Sequence, residues 1–354
     1  MPVRAIGRRL TPGRALLLVL LCLLVVAGFA GLGLGGSAQR PDEARAAGAD
    51  NAGNVVFAIH GGAGDITRES VPPELEQQYR GALRVALEAG YGVIQRGGEA
   101  TDAVKAAIVT MEDSPLFNAG KGAVFTTDAK HELDASIMDG ETLDTGAVTG
   151  VEHIKNPIEL ADTVRTASRH VFFAGQGAEL FAIDRGFDLV TQDYFFTDRR
   201  WQALVEAKAG KSEFNFGLGT VGAVALDRQR DLAAGTSTGG LTNKPVGRIG
   251  DSPLIGAGTY ANDDTVAVSA TGTGEFFIRQ VVAHDISAMI DYARMSVGRA
   301  ARNAIDKVAE LGGDGGVIAL GNRGQLATPF NTTGMFRGWV TKDGQIVVKI
   351  FGDE

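Results

Sequence analysis

Cysteine is almost absent from this chain of 354 residues. The single copy, Cys22, lies in an apolar stretch near the N-terminus, so the rest of the chain has no thiol to form a disulfide, bind a metal or act as a nucleophile. Beyond the N-terminal segment there is also no cluster of basic residues with interleaved aromatics, and 34 lysines and arginines stand against 42 aspartates and glutamates, for a formal net charge of −8. The composition therefore argues against a protein that binds nucleic acid.

Histidine is scarce and scattered. None of the five histidines has the spacing of a zinc-binding helix, so a catalytic zinc site has little support and each histidine is expected to be structural or on the surface. They are His60, His131, His153, His170 and His284. With 44% hydrophobic and 21% charged residues, the chain is nevertheless able to bury a substantial core.

Residues 1–46 have the layout of an export signal. Arginines precede an apolar run at residues 15–34, and small residues follow at 36–38 and 44–46. This pattern predicts a signal peptide and an exported protein, either periplasmic or secreted. The alternative is an uncut N-terminal anchor, because the apolar run is long enough to span a bilayer.

The following chain alternates between strand and helix patterns. Residues 54–59 predict a buried strand that turns sharply at the glycines of residues 60–64. Helical spacing begins at Pro72, and Thr101 is placed to cap a second helix. Residues 198–216 are charged and irregular, which indicates a mobile linker.

A new set of strands begins after this stretch, at Thr220. Residues 221–226 and 232–236 predict a hairpin, residues 278–290 a long amphipathic helix, and residues 342–344 the turn of a closing hairpin. Strands thus gather at both ends of the chain with helical pairs between them. This order favours a layered α/β or α+β fold.

Ser237 is one candidate nucleophile. Residues 235–239 spell G-x-S-x-G, and together with residues 60–62 and His284 they suggest a serine α/β-hydrolase. However, residues 239–245 contain two glycines and a proline where the helix of such a site has to grow. We interpret Ser237 as a residue at a strand end and keep the serine hydrolase as an alternative.

Thr220 is a second candidate. A threonine hydroxyl is a poor nucleophile without a base in reach, but an N-terminal threonine has its own α-amine for this purpose. The pKa of an α-amine, about 7.7 to 8.0, is close to what a general base needs at neutral pH. Cleavage between Gly219 and Thr220 would create such a residue, and no histidine would be required.

Six motifs in order resemble the plant-type L-asparaginase and isoaspartyl peptidase family, over about Val55 to Phe351. They are HGGAG (60–64), LFNAG (116–120), TVGAVA (220–225), TSTGG (236–240), GRIGDSP (247–253) and TGTGE (271–275). The resemblance implies an N-terminal-nucleophile hydrolase with a four-layer αββα fold, made as a precursor that cuts itself. It further implies an α subunit of residues 47–219, a β subunit of residues 220–354 and an (αβ)2 assembly.

The resemblance also assigns roles to single residues. It implies that Thr220 is the nucleophile and that Thr238 supports its position. Thr271 and Gly272 would form the oxyanion hole, with glycine permitting close backbone approach. Asn118 would have a supporting role near Thr220.

Two charged residues suit the ends of an aspartyl group. Arg248 has the planar fork that fits a substrate α-carboxylate, and Asp251 has the carboxylate that fits an ammonium group. The resemblance places Gly274 in the same substrate-binding set. The ordinary alternative is that Arg248 and Asp251 pair with each other on the surface.

No cofactor is expected for the chemistry, but the resemblance implies a structural sodium ion held by backbone carbonyls. These carbonyls belong to Met111, Glu112, Ser114, Phe117, Ala119 and Lys121. The expected reaction is hydrolysis of L-asparagine or of β-aspartyl (isoaspartyl) dipeptides. Glycosylasparaginases are the related alternative, but there the nucleophile typically follows Asp, whereas Gly219 precedes Thr220 here.

Overall fold

Thirteen strands form two sheets in the computed structural model, which describes residues 51–211 and 219–354. Numbered along the chain, the strands are β1 (Asn51–Ala52), β2 (Val55–Gly64), β3 (Leu133–Asp139), β4 (Thr145–Val151), β5 (Phe172–Ala174), β6 (Val221–Leu226), β7 (Leu232–Thr238), β8 (Thr259–Asn262), β9 (Val266–Gly272), β10 (Gly315–Gly321), β11 (Leu326–Ala327), β12 (Gly334–Thr341) and β13 (Ile346–Phe351). The larger sheet has the order β13-β12-β2-β6-β7-β3-β4-β5, and the smaller has β1-β11-β10-β9-β8. Only the β4–β5 pair is parallel among these strands.

The described residues also form eight α-helices and two short 3-10 turns. The helices are α1 (Pro73–Gln95), α2 (Ala100–Glu112), α3 (Pro157–Ala167), α4 (Gly175–Asp184), α5 (Asp198–Lys208), α6 (Gly274–Gln280), α7 (Val282–Ala293) and α8 (Val297–Glu310). The 3-10 turns are Gly120–Gly122 and Gln192–Tyr194.

The elements stack in four layers. Helices α1 and α2 pack on the larger sheet, α7 and α8 pack on the smaller sheet, and the two sheets face each other through β2, β6, β7, β9 and β10. Three separate hydrophobic cores fill the spaces between these layers. The predicted αββα sandwich is confirmed.

Strand pairing brings the predicted site residues to one end of the sandwich. Strand β6 runs antiparallel to both β2 and β7, with Val221 opposite Ser237. Thr220, directly before β6, therefore lies beside Thr238, the last residue of β7. The end of β9, Thr271–Gly272, comes from the facing sheet.

Two local predictions in the first half of the chain are wrong. The glycines of residues 60–64 do not form a turn, because β2 continues through Gly64 and pairs with β12. Thr101 does not cap the second helix: it lies inside α2, and its buried hydroxyl has no partner. The backbone N–H of Ala100 instead donates to Asp227 Oδ2 at 3.1 Å, so the carboxylate comes from a distant turn.

Two further predictions need correction. The stretch predicted as a linker begins with helix α5, capped by Thr197 and attached to the body by Arg200, whose Nε donates to the Gly122 carbonyl at 2.7 Å. Residues 212–216 of that stretch lie outside the described residues, as does the predicted signal segment. The long helix predicted at 278–290 is two helices, α6 and α7, which meet at Val281 in the left-handed region with φ 48°.

Candidate active site

The Thr220 side chain lies at the start of β6 and is almost fully buried, with 9% exposure. Its hydroxyl donates a hydrogen bond to Thr238 Oγ1 at 3.0 Å. The Thr238 oxygen also accepts the backbone N–H of Gly240 at 3.0 Å. The backbone that follows β7 thus holds the Thr238 side chain, which in turn orients the Thr220 hydroxyl.

The Thr271 hydroxyl is buried and has no hydrogen-bond partner. It faces the peptide that precedes Thr220, since a Cβ built on Gly219 would lie 2.8 Å from Thr271 Oγ1. Buried hydroxyls are nearly always paired, so an unpaired one that faces a peptide bond is ready to donate to a group that arrives later. This position suits an oxyanion donor.

Glycines at this end of the sandwich allow neighbouring backbone segments to approach each other closely. Gly272 has φ +153°, and a Cβ there would lie 2.3 Å from the Asp314 carbonyl oxygen. Gly62 has φ +112°, and a Cβ there would lie 2.4 Å from the Gly219 Cα. The backbone around Gly219 therefore touches Gly62 directly and leaves no space for a side chain on either residue.

Asn118 supports the loop beside Thr238 through two hydrogen bonds of its side chain. Its Nδ2 donates to the Gly240 carbonyl at 2.7 Å, and its Oδ1 accepts the N–H of Val124 at 2.9 Å. Gly240 is thus held by both of its backbone groups: its N–H bonds to Thr238 Oγ1, and its carbonyl bonds to Asn118 Nδ2.

A small cleft of about 20 Å³ joins these groups. Its lining consists of Ala63, Asn118, Gly219, Thr220, Gly240, Leu241, Thr271, Gly272, Asp314, Gly315 and Thr332. Four of the predicted catalytic positions, Asn118, Thr220, Thr271 and Gly272, thus meet around one space. The predicted substrate-binding residues Arg248, Asp251 and Gly274 do not line it.

Arg248, Asp251 and Gly274 form an adjoining cluster with Glu275. Arg248 does not pair with Asp251; its Nε and Nη2 donate to the two carboxylate oxygens of Glu275 at 2.9 and 2.8 Å. A Cβ on Gly274 would lie 2.8 Å from Asp251 Oδ1, so the glycine leaves room for this carboxylate. Gly274 follows the Thr271–Gly272 pair closely in the chain and so links the two groups of residues.

Asp251 is a buried carboxylate with an unused oxygen. Burial raises the pKa of Asp251 to about 7, although the nearby Arg248 guanidinium acts to lower it. Its Oδ2 has no hydrogen-bond partner. Burying a carboxylate is costly unless a positive charge compensates it, so this oxygen suits a cationic group of a ligand.

Ser237 is not placed to act as a nucleophile. It is fully buried in β7, and its hydroxyl donates to Glu112 Oε1 at 2.6 Å. His284, the histidine that the serine-hydrolase alternative requires, is exposed on α7 with its ring against Tyr260. The alternative is therefore wrong, and Ser237 is the strand residue that its surroundings indicated.

The loop assigned to a sodium ion has carbonyls that point toward its glycines. A Cβ on Gly120 would lie 2.4 Å from the Glu112 carbonyl oxygen, and a Cβ on Gly122 would lie 2.2 Å from that of Phe117. Only a hydrogen atom in place of Cβ at each glycine leaves room for the neighbouring carbonyl oxygen. In residues 51–211 and 219–354 there is no cluster of histidine, cysteine, aspartate or glutamate side chains that would hold a metal.

Two residues of the site were not identified from the sequence as contributors. Glu275 stands in the TGTGE motif, but its pairing with Arg248, 27 positions away, appears only in the fold. His60 was expected to be structural or on the surface, and it is buried with Nδ1 3.1 Å from the Thr220 carbonyl oxygen. Its place in the HGGAG motif was the only available signal.

Comparison with known proteins agrees with this arrangement. The family model described as "Asparaginase" matches residues 53–350. The isoaspartyl peptidase of Escherichia coli K12 is 49% identical over 298 residues, which covers 81% of this chain and 93% of that protein. The isoaspartyl peptidase/L-asparaginase of Xenopus laevis is 39% identical over 308 residues (84% and 96%), and that of Homo sapiens is 40% identical over 308 residues (85% and 97%).

The prediction of an exported or anchored protein is wrong. It was based on residues 1–46 alone, whereas the relatives are isoaspartyl peptidases matched over 93% to 97% of their own length. These relatives therefore have little chain beyond the part that they share with this one. None of the helices in the described part of the chain is both long and apolar enough to cross a membrane.

The resemblance inferred from six short motifs thus extends over most of the chain, at identities of 39% to 49% to relatives matched almost end to end. On this evidence the chain belongs to the asparaginase family that includes the isoaspartyl peptidases.

Proposed function

We propose that this protein is an amidohydrolase that cleaves L-asparagine, β-aspartyl dipeptides or both, with Thr220 as an N-terminal nucleophile. The observation that carries the proposal is the Thr220 hydroxyl bonded to Thr238 at 3.0 Å, beside the unpaired Thr271 hydroxyl. The names of the relatives, isoaspartyl peptidase and L-asparaginase, support the substrate class.

The first step is cleavage of the chain itself. Thr220 Oγ1 attacks the Gly219 carbonyl carbon, the C–N bond breaks, and the nitrogen takes up the proton that the hydroxyl loses. Water then hydrolyses the resulting ester, which leaves the Gly219 carboxylate and a free Thr220 α-amine. The products are an α subunit that ends at Gly219 and a β subunit of residues 220–354.

The free amine makes the second reaction possible. It accepts the proton from Thr220 Oγ1 as the oxygen attacks the β-carbonyl of the substrate. The hydroxyl of Thr271 and the N–H of Gly272 then stabilise the oxyanion. Ammonia or an amino acid leaves, and water releases aspartate from the acyl-enzyme.

The size of the cleft supports this order of events. In the uncut chain the cleft measures about 20 Å³ and Gly219 forms part of its lining. Such a volume has room for about one water molecule and not for an aspartyl group. Departure of Gly219 after cleavage would open the space next to Thr220, so the protein would become active only when cut.

Arg248 and Asp251 would bind the two charged ends of the aspartyl group. The guanidinium of Arg248 would bind the α-carboxylate, and Asp251 would bind the ammonium through its unpaired Oδ2. Gly274 leaves the space for the Asp251 carboxylate. In the same proposal the cut subunits assemble as (αβ)2.

A structural sodium ion fits the loop between α2 and β3. Its ligands would be the backbone carbonyls of Met111, Glu112, Ser114, Phe117, Ala119 and Lys121. The close approach of the Glu112 carbonyl to Gly120 and of the Phe117 carbonyl to Gly122 supports this assignment. Oxygen ligands of this kind suit a hard cation. The ion would stabilise the loop that carries Asn118 and would supply no chemistry.

Asp251 leads to a predicted pH dependence. Because burial raises its pKa to about 7, the carboxylate that binds an ammonium is present above that pH and is lost as the pH falls through it. The pH dependence of kcat/KM reports the ionisation of groups in the free enzyme. Protonation of Asp251 should therefore lower kcat/KM about tenfold per pH unit below pH 7, in addition to any decline caused by protonation of the Thr220 amine. Steady-state rates between pH 5 and about 9 measure this.

The control for this pH dependence is Asp251→Asn, which should have a higher KM and should lack the decline of kcat/KM near pH 7. The decline caused by the Thr220 α-amine, whose pKa is about 8, should remain in this variant. An unchanged profile in Asp251→Asn would show that another group titrates.

Glu275 is predicted to hold Arg248 in position for the substrate. Its pKa is lowered chiefly by the hydrogen bond from Arg248, and its side chain is half exposed although that of Arg248 is mostly buried. We expect Glu275→Gln to raise KM about fivefold with little change in kcat, because exposed pairs contribute roughly 1 kcal/mol or less. Glu310→Gln, at an exposed glutamate that ends α8, is the matched control. A Glu275→Gln enzyme with unaltered KM would refute the positioning role.

The function itself is tested with a panel of substrates. The purified protein should release aspartate from L-asparagine or from a β-aspartyl dipeptide and should leave the corresponding α-aspartyl dipeptide intact. N-acetylglucosaminyl-asparagine tests the glycosylasparaginase alternative. Hydrolysis of that compound alone, or of none of the three β-amides, would contradict the proposed activity.

A further inference from the structure

A continuous row of buried polar side chains leads away from the Thr220 backbone. His60 Nδ1 lies 3.1 Å from the Thr220 carbonyl oxygen, and His60 Nε2 lies 2.9 Å from Ser269 Oγ. Ser269 Oγ lies 2.7 Å from Thr236 Oγ1, which accepts the hydroxyl of Thr259 at 2.6 Å. The five side chains of this row, here called the polar chain, are His60, Ser269, Thr236, Thr259 and Ser136.

The far end of the polar chain lies beside Asp251. Ser136 Oγ has one proton, which it can donate either to Thr259 Oγ1 at 2.8 Å or to the carbonyl of Ser252 at 2.6 Å. Ser252 directly follows Asp251, the residue proposed to bind the substrate ammonium. The polar chain therefore begins at the nucleophile and ends at the substrate-binding loop.

The polar chain also crosses between the two sheets at every step. His60, Thr236 and Ser136 belong to β2, β7 and β3 of the larger sheet, and Ser269 and Thr259 belong to β9 and β8 of the smaller one. All five side chains have 0% exposure. A row of hydroxyls between two otherwise apolar sheets is costly unless each group is paired, and here each group is.

The hydrogen bonds of the polar chain have a fixed direction. The Thr220 carbonyl can only accept, so His60 Nδ1 carries the proton. Burial lowers the pKa of His60 to about 3, so the ring is neutral and Nε2 must accept from the Ser269 hydroxyl. Ser269, having donated its only proton, accepts from Thr236, which in turn accepts from Thr259. One protonation pattern is thereby selected from Thr259 to Thr220.

Gly222 leaves the space in which the first part of the polar chain lies. A Cβ on this β6 residue would lie 2.0 Å from Ser269 Oγ and 2.3 Å from His60 Nε2. The bond between His60 and Ser269 thus depends on a glycine two residues after the nucleophile.

We propose that the polar chain is a positioning device that couples the placement of Thr220 to that of the Asp251 loop. Its five members touch neither substrate nor reacting atoms, so they are positioning residues. The proposal rests on the function proposed above for Thr220 and Asp251. It requires that a change near the Asp251 loop alters kcat, which depends on Thr220. It also requires that a change near Thr220 alters KM, which depends on Asp251.

Two alanine variants at opposite ends test this requirement. Ser136→Ala is next to the Asp251 loop and should lower kcat as well as raise KM; Ser269→Ala is next to His60 and should raise KM as well as lower kcat. We expect each effect to be about threefold to tenfold per cut active site, the range typical of coupling between distant sites. The fraction of cut chain, measured by mass spectrometry, gives the number of active sites.

The double variant and a control complete the experiment. If the polar chain acts as a unit, kcat/KM of the double variant should be little lower than that of the more impaired single variant. If the two substitutions act independently, their fold losses in kcat/KM should multiply. Thr101→Val is the control, because Thr101 is a buried threonine whose hydroxyl has no partner, and its kinetics should match wild type. Thr236→Val breaks the polar chain at its middle and serves if a serine variant does not fold.

Effects confined to the nearer end, multiplicative losses, or kinetics equal to those of Thr101→Val would overturn the proposal. A merely structural role would lower the melting temperature or the cut fraction but leave kcat and KM per cut site unchanged. An inactive wild-type enzyme would instead refute the proposed function, so the two failures are distinguishable.

Discussion

Replacing Thr220 with alanine is expected to leave one uncut polypeptide without measurable hydrolase activity. The substitution removes the hydroxyl that both proposed reactions use, while the rest of the site keeps its glycine contacts and the Thr238–Gly240 bond. Loss of a nucleophile typically lowers kcat by about 10⁴-fold or more. Gel electrophoresis of the purified protein and an assay of aspartate release measure both effects.

Thr220→Ser is the matched variant for this prediction. It keeps the hydroxyl and loses only a methyl group, so the chain should still be cut and should retain activity at a reduced rate. Thr101→Val again gives the baseline for a threonine outside the site. If Thr220→Ala is cut at the same place and hydrolyses β-aspartyl substrates, Thr220 is not the nucleophile.

The second large effect is expected at Thr271. Its hydroxyl is buried, unpaired and next to Gly219, which is where an oxyanion would form in either reaction. Thr271→Val preserves the shape of the side chain and removes the donor. We expect kcat to fall about 10²- to 10³-fold with little change in KM, the usual loss when one oxyanion donor is removed.

The same variant should also slow the cleavage of the chain, because Thr271 faces the Gly219–Thr220 peptide. A time course of the cut fraction after purification measures this rate, and Thr271→Ser should restore most of both activities. A Thr271→Val enzyme with normal kcat would remove Thr271 from the oxyanion hole.

Much of the architecture was available from the sequence. Strand β2, the hairpin of β6 and β7 and the closing hairpin of β12 and β13 all follow from regular hydrophobic periods and turn residues. The principal site residues were found because Thr220, Thr238 and Thr271 stand in short motifs at strand ends. Strand pairing then brings those ends together.

The failures have local physical causes. Helix α5 was missed because only Arg200 and Leu204 are buried along it, so the charged sequence shows little periodicity. Its attachment depends on the Arg200 bond to Gly122, which is a tertiary contact. The break between α6 and α7 lies at Val281, a β-branched residue with positive φ, and no local pattern predicts this.

The pairings at the site were the hardest part to predict. Arg248 with Glu275, and His60 with both Thr220 and Ser269, join residues from separate elements. Charge and residue type allow many such pairs, and only the strand order selects among them. The sequence therefore indicated which residues are proposed to carry the chemistry, while the fold determines what holds them in place.

Intact-mass spectrometry of the purified protein tests whether the chain cuts itself before Thr220. We expect two polypeptides, one that begins at Thr220 and ends at Glu354 and one that ends at Gly219, with β-aspartyl hydrolysis in proportion to the cut fraction. A single uncut chain that hydrolyses β-aspartyl substrates, or a cut at another peptide bond, would contradict it.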